Sequence, residues 1–412
     1  MHQSLRMMLL TLLIGFAATL QAQTDYFTLT GTVVDSDTGQ PMPAVNIAVT
    51  GQNTSIVTNA DGHFILKTYQ IPHELRFSHV GYRTIRLKIG NQLEGLRIKM
   101  HQADIRLRDI VVKPDDPFSI LHAAIAKITV NYSQKPELFR TFYRETTRRG
   151  KRYIYVAEAV ADMYKTDYEF SADHDRVSID KARRLISTRA TDTLGAKMQG
   201  GPTIGLYLDA AKNFDFLFDE DILSAHNIAM ADPQTIDDRP QYVIRLTPKS
   251  NQLLALYSGY IYIDRQTLAF SRIEIDLDVS FTERAAYLML VSKPAGVRFK
   301  PLGQHLVATY SFENGVSRLS YVSSITQFKC DWKRRLFSSP YTVTAEMVVT
   351  DRYPQVHKIS GKSSFRPHES LYDKVALFDD PQFWGKDNII EPDESLENAI
   401  DKLKRRLRKQ GK

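Results

Sequence analysis

Thr28-Leu29-Thr30-Gly31-Thr32-Val33-Val34-Asp35, the break Asp37-Thr38-Gly39-Gln40-Pro41 and Val45-Asn46-Ile47-Ala48-Val49 decide the fold of the first part of the chain. Apolar and polar residues alternate within each run, which is the period of a strand with one buried face, and Gly and Pro between the runs supply turns. The pattern recurs in Ile56-Val57-Thr58, the turn Asn59-Ala60-Asp61-Gly62, Phe64-Ile65-Leu66, Glu74-Leu75-Arg76-Phe77 and Thr84-Ile85-Arg86-Leu87. About seven short strands within residues 26–113 predict a small antiparallel β-sandwich.

Several separated motifs in this span occur in the order of a known family. Gly31 to Asp35, Thr38-Gly39-Gln40-Pro41, Ala44 to Val49, Thr58-Asn59-Ala60-Asp61-Gly62-His63-Phe64 and Val80-Gly81-Tyr82 together resemble the carboxypeptidase regulatory-like domain. The resemblance implies a prealbumin-like sandwich of seven strands with a structural or docking role. Asp61-Gly62 and Val80-Gly81-Tyr82 are fold-determining positions, where a turn calls for positive φ. Asn59 stands where the family more often has Asp.

Ahead of the sandwich, Arg6 precedes the apolar run Met7 to Ala18, with Ala22 before polar Gln23. This reads as a secretory signal peptide over residues 1–22, too short to span a bilayer. No later run is long and apolar enough to be a spanning helix. The expectation is an exported protein, periplasmic or associated with the outer membrane. The formal charge of +7 falls to +6 without Arg6, the only charged residue among the first 22. Such a mild excess gives no reason to expect nucleic-acid binding. The sole cysteine, Cys330, excludes an intramolecular disulfide.

Lys113-Pro114-Asp115-Asp116-Pro117 marks a linker, placed at 114–118, and Pro117 opens a helix. Phe118, Leu121, Ala124, Ile125 and Ile128 recur at helical spacing as its apolar face. Strand patterns then return in Leu138–Tyr143, Tyr153–Val160, Tyr242–Leu246 and Gly259–Ile263. Ser271 to Val279 alternates, with Ile273, Ile275, Leu277 and Val279 on one face and Glu274, Asp276 and Asp278 on the other. Asn314-Gly315 between alternating runs predicts a hairpin, and Tyr341–Thr350 closes the series. The whole chain is thus mainly β with some α: the sandwich, then a larger antiparallel β-meander, a curved sheet with helices, over 119–390. The segments Glu158–Lys165 and Tyr257–Asp264, following the helix, look like the uncharacterised domain that succeeds the regulatory-like module in many Bacteroidota cell-envelope proteins.

Residues 391–412 read as a separate amphipathic helix. Leu396, Ala399, Ile400, Leu403 and Leu407 form a stripe, and the basic residues from Lys402 to Lys409 favour the negative end of the helix dipole. The helix either packs its stripe on the protein or rests on an anionic lipid or glycan.

A zinc carboxypeptidase needs His-x-x-Glu, and no histidine here has Glu three residues on. Asp35-Ser36-Asp37-Thr38-Gly39 resembles a calcium loop only in part, since the twelfth position holds Asn46. Gly200-Gly201-Pro202-Thr203-Ile204-Gly205 lacks a phosphate-loop Lys, and no Gly-x-Ser-x-Gly elbow occurs. The sequence therefore assigns no catalytic, cofactor or metal residue. It points to a non-enzymatic envelope protein that binds a partner protein, a glycan or a lipid, with a hydrolase of unrecognised site in the larger domain as the alternative. The aromatic strands Phe139–Tyr143, Tyr153–Tyr155 and Tyr257–Tyr262 either line an open groove or are core covered by helices and loops between Lys181 and Asp238.

Overall fold

A computed structural model describes residues 26–103, 116–189, 192, 196–198, 200–249, 255–332, 339–367, 369–374 and 383–410. The signal peptide read at 1–22 and linker positions 114 and 115 lie outside these. The sandwich has seven strands: β1 (Phe27–Asp35), β2 (Asn46–Val49), β3 (Ser55–Val57), β4 (His63–Thr68), β5 (Glu74–Ser78), β6 (Ile85–Lys88) and β7 (Leu96–Met100). One sheet runs β4-β1-β7, with β1 and β7 parallel, and the other runs β3-β2-β5-β6. Their inner faces close on a core that includes Leu29, Val33, Ile47, Ile56, Phe64, Leu66, Leu75 and Phe77.

The motif residues act as turn hardware. Asp35 Oδ1 accepts from the N–H groups of Asp37 and Thr38, and its Oδ2 accepts from the Tyr82 hydroxyl at 2.7 Å. The Tyr82 bond, then the Thr38 donors, hold the Asp35 carboxyl down to about 2. The Asp35 carboxylate thus braces the turn. Gly62 sits at φ 73°, and a Cβ there would meet the Val33 carbonyl at 2.4 Å.

The larger region begins with helix α1 (Pro117–Ala126), N-capped by Asp116, whose side chain accepts from Ser119 N–H. Ile120, Leu121 and Ala124 are buried, whereas Phe118, expected on the apolar face, is 43% exposed at the first turn. Then follow β8 (Glu137–Arg149), β9 (Arg152–Lys165), β10 (Arg176–Ile186), β11 (Lys197–Met198), β12 (His226–Met230), β13 (Gln234–Ile236), β14 (Arg239–Pro248), β15 (Tyr257–Asp264), β16 (Phe270–Leu277), β17 (Leu290–Ser292), β18 (Val297–Glu313), β19 (Val316–Trp332) and β20 (Ser339–Arg352). Eleven of them form one sheet in the order β10-β9-β8-β20-β19-β18-β16-β15-β14-β12, with β13 beside β14. From β12 onward the sheet is a meander. The last strand, β20, then returns to pair with the first, β8, in antiparallel register. Asn314 and Gly315, at φ 52° and 79°, turn β18 into β19 as expected.

In β16, Ile273, Ile275 and Leu277 are buried and Asp276 is exposed, as the alternation requires; Val279 lies past the strand end. On the same face of the sheet, Phe139, Tyr143, Tyr155 and Tyr257 are buried among Ile204, Leu208, Phe216, Leu217, Phe218 and Leu223. These covering residues come from helical turns such as Ile204–Tyr207, Phe214–Leu217 and Glu220–Ser224. Of the two alternatives for these strands, the covered one holds: most of the aromatic face is core. The covering span was also read too broadly, because residues 176–186 are strand β10.

The opposite face is covered too. Phe142, Val160, Tyr321 and Val348 pack there with Val57 of the sandwich and with Trp384 and Ile390. Residues 383–390, just ahead of the tail read at 391–412, thus form a strap over the sheet. Asn59 Nδ2 donates to the Pro392 carbonyl at 3.2 Å, a bond that an Asp in its place could not make. The C-terminal helix α2 (Glu394–Gln410) buries Leu396, Ile400 and Leu403 against Val156 and Leu185. Its apolar stripe faces the protein's own sheet, so only the basic outer face is left for an anionic surface. Among the described residues no helix is long and apolar enough to cross a membrane.

Candidate functional site

The period of two along β8 puts Phe139, Thr141, Tyr143, Glu145 and Thr147 on the helix-covered face. Toward Arg149 the described residues leave a cavity of about 300 Å³. Its floor is sheet: Glu145 and Thr147 of β8, Val343 of β20 paired opposite Thr147, and Tyr155 of β9 paired with Thr147 on the other side. Ile154 joins them because the β8–β9 register shifts there. The roof is Ala196, Met198, Gly201 and Leu371, and the Lys197–Asp373 ion pair at 2.5 Å crosses the rim.

Glu145 is the odd residue of this wall. Its Oε2 accepts from the Tyr143 hydroxyl at 2.8 Å, and burial pushes its carboxyl above the usual range, with the Tyr143 bond pulling the other way. The other acids at the cavity are matched. Asp192 is held by Arg152 and by Ser187 Oγ, Glu369 lies 2.5 Å from Lys374, and Asp373 pairs with Lys197.

Gly200 and Gly201 have φ 114° and 51° and lead into a helical turn over Gly201–Thr203, and Phe365 lies against Gly201. Beyond that contact a second cavity of about 480 Å³ is lined by Val177, Leu206, Tyr207 and Asp175. The cover is pinned by buried charges. Tyr168 and Tyr310 donate to Asp209 at 2.8 and 3.0 Å, Lys165 pairs with Asp209, and Lys212 pairs with Asp175 at 2.7 Å. On the far face a polar cleft of about 880 Å³ lies between sandwich and sheet, where Arg140 is matched by Asp162, Asp180 and Asp387.

Cys330 is buried, and burial, then Asp331, pushes its thiol up to about 11, so it is a neutral thiol at ordinary pH. Among the described residues no three His, Cys, Asp or Glu side chains gather as metal ligands. The sequence named no site residue, and Glu145 was missed. Its signal was an acid at the inward phase of an aromatic strand.

These features define a mainly β protein in which a small sandwich and a strap cover one face of a large antiparallel sheet, and helical turns over the other leave a cavity. Residues 29–112 match the family model described as CarboxypepD_reg-like domain, the span of the sandwich. No curated protein matches the chain. Among solved structures it is similar to a putative outer membrane lipoprotein-sorting protein domain from Vibrio parahaemolyticus, with TM-score 0.30 and 10% identity over 60% of this chain and 94% of that one. It is also similar to a LolA superfamily protein from Nitrosomonas europaea, with TM-score 0.19 and 10% identity over 61% and 97% of the two chains. MucB in complex with MucA(peri) gives TM-score 0.18 and 12% identity over 59% and 100%.

Proposed function

We propose that this is an exported, non-enzymatic cell-envelope protein whose large sheet binds one small amphiphile, the sandwich serving as a docking module. The observation that carries the reading is the cavity: about 300 Å³, where Ile154, Tyr155, Met198, Val343 and Leu371 form an apolar stretch of wall beside the acids Glu145, Asp192, Glu369 and Asp373. Its size lies at the lower end of ligand sites. Glu145 is also where a hydrolase reading would start. General acid–base chemistry needs a second working group. Glu145 has Tyr143 as its partner, while Asp192, Glu369 and Asp373 are each engaged with a cation.

Titration with a naphthylamine fluorophore tests the reading. Binding is expected at one site per chain and should weaken by about tenfold or more when Val343→Trp or Ala196→Leu fills the cavity. Unchanged binding in both folded variants would refute it.

A further inference from the structure

We propose that the cavity selects an amphiphile with a hydrogen-bond-donating, cationic head, a primary amine above all, and that Glu145 is the group that holds it. This rests on the cavity reading above and adds the head-group chemistry.

The inference comes from a charge balance at the cavity wall. Among the described residues four carboxylates line it, and Lys197 is the only cation in the lining. Three of the four are matched: Asp373 by Lys197 at 2.5 Å, Glu369 by Lys374 at 2.5 Å, and Asp192 by Arg152, with Arg149 at 3.8 Å. Glu145 is the exception. Among the described residues its one polar contact is the Tyr143 hydroxyl on Oε2, which leaves Oε1 for a ligand. Position enforces this. Glu145 lies mid-strand, opposite Ala345 on β20 and Ala157 on β9, two residues without a polar side chain to offer.

An anionic head would face this carboxyl without a cation to offset it. An ammonium would supply the missing charge and a short charge-assisted bond. The apolar walls on either side then take the tail, and the position of Glu145 on the sheet floor sets the head at depth instead of at the rim. The upward displacement of its titration by burial agrees with a carboxyl that lacks a cation.

Calorimetric titration of the full chain with octylamine, octan-1-ol and octanoate, which share one tail, tests the idea. The amine is expected to bind about tenfold or more tighter than the alcohol, with octanoate weakest. In Glu145→Gln, which keeps the side-chain shape and an acceptor for Tyr143, the amine advantage should shrink to about threefold or less while alcohol binding holds. Glu369→Gln, at the rim, should leave the ranking as in the parent and shows that loss of any acid is not enough. Octanoate binding as tightly as octylamine, or an amine advantage that survives Glu145→Gln, overturns the head-group inference. If the alcohol binds and the amine gains nothing, that inference alone fails. If none of the three binds, the cavity reading fails with it.

Discussion

Glu158→Ala should loosen the strap that joins sandwich, sheet and tail. Glu158 is fully buried, and its two oxygens accept from Arg144 Nε at 2.7 Å and Arg183 Nε at 2.9 Å. Those two arginines hold the strap. Arg144 donates onward to the Ile390 carbonyl and, at 3.1 Å, to that of Glu391, while Arg183 lies 4.6 Å over the Trp384 ring. Alanine leaves the buried Arg144 guanidinium without its carboxylate and takes one acceptor from the half-buried Arg183, and losing one partner of such a buried pair costs about 3–5 kcal/mol. At about 2–4 °C per kcal/mol for a large domain, the melting temperature should fall by roughly 6–20 °C. Calorimetry gives the shift, and limited proteolysis followed by mass spectrometry should show faster cleavage within 383–393. Glu158→Gln, which keeps the volume and one acceptor, should fall between. A shift within about 1 kcal/mol of the parent, with the strap still resistant, would mean that hydrophobic contact through Trp384 and Ile390 suffices and the ion cluster does not fix the strap.

Ile275→Asp should unfold the large sheet, because an unpaired carboxylate would replace a side chain that is 1% exposed, whereas exposed Asp276→Ser should shift stability by about half a kcal/mol at most; equal melting shifts would refute the strand assignment. Asn59→Asp should cost about 1 kcal/mol, since Nδ2 donates to the Pro392 carbonyl and a carboxylate oxygen would oppose it; hydrogen exchange at 393–396 should speed up. Burial raises the Glu145 carboxyl in the fold, so ionisation opposes folding, and this contribution is lost as pH rises from the ordinary carboxylate range through the raised value. Glu145→Gln should therefore gain stability over the parent as pH climbs from 4 to 7, measured by melting curves against pH; a constant difference would contradict the burial.

What the sequence disclosed follows the range of the interactions. Six strands of the sandwich, the Asn314-Gly315 hairpin and the faces of β16 rest on neighbours within a few residues, where period and turn chemistry act directly. Leu96–Met100 went unread, since it is short and its parallel partner β1 lies some sixty residues earlier in the chain. β10 hid behind Asp180, Lys181, Arg183 and Arg184; as an edge strand with a register shift after Ile179 it carries charges that a central strand would not. The β20–β8 pairing and the strap are contacts between distant segments, and local pattern holds no record of them. The cavity is a third case. It lies between the sheet floor and segments around Ala196 and Leu371 that are distant in the chain, and only the odd phase of Glu145 along β8 hinted at it.

Where a ligand sits decides whether the cavity is a binding site. Crystals of the full chain soaked in a brominated octyl alcohol should show anomalous bromine density among Tyr155, Met198 and Val343, and none in crystals of Val343→Trp. Bromine found instead in the polar cleft beside Arg140, or along the outer face of Glu394–Gln410 with the cavity empty, would contradict it.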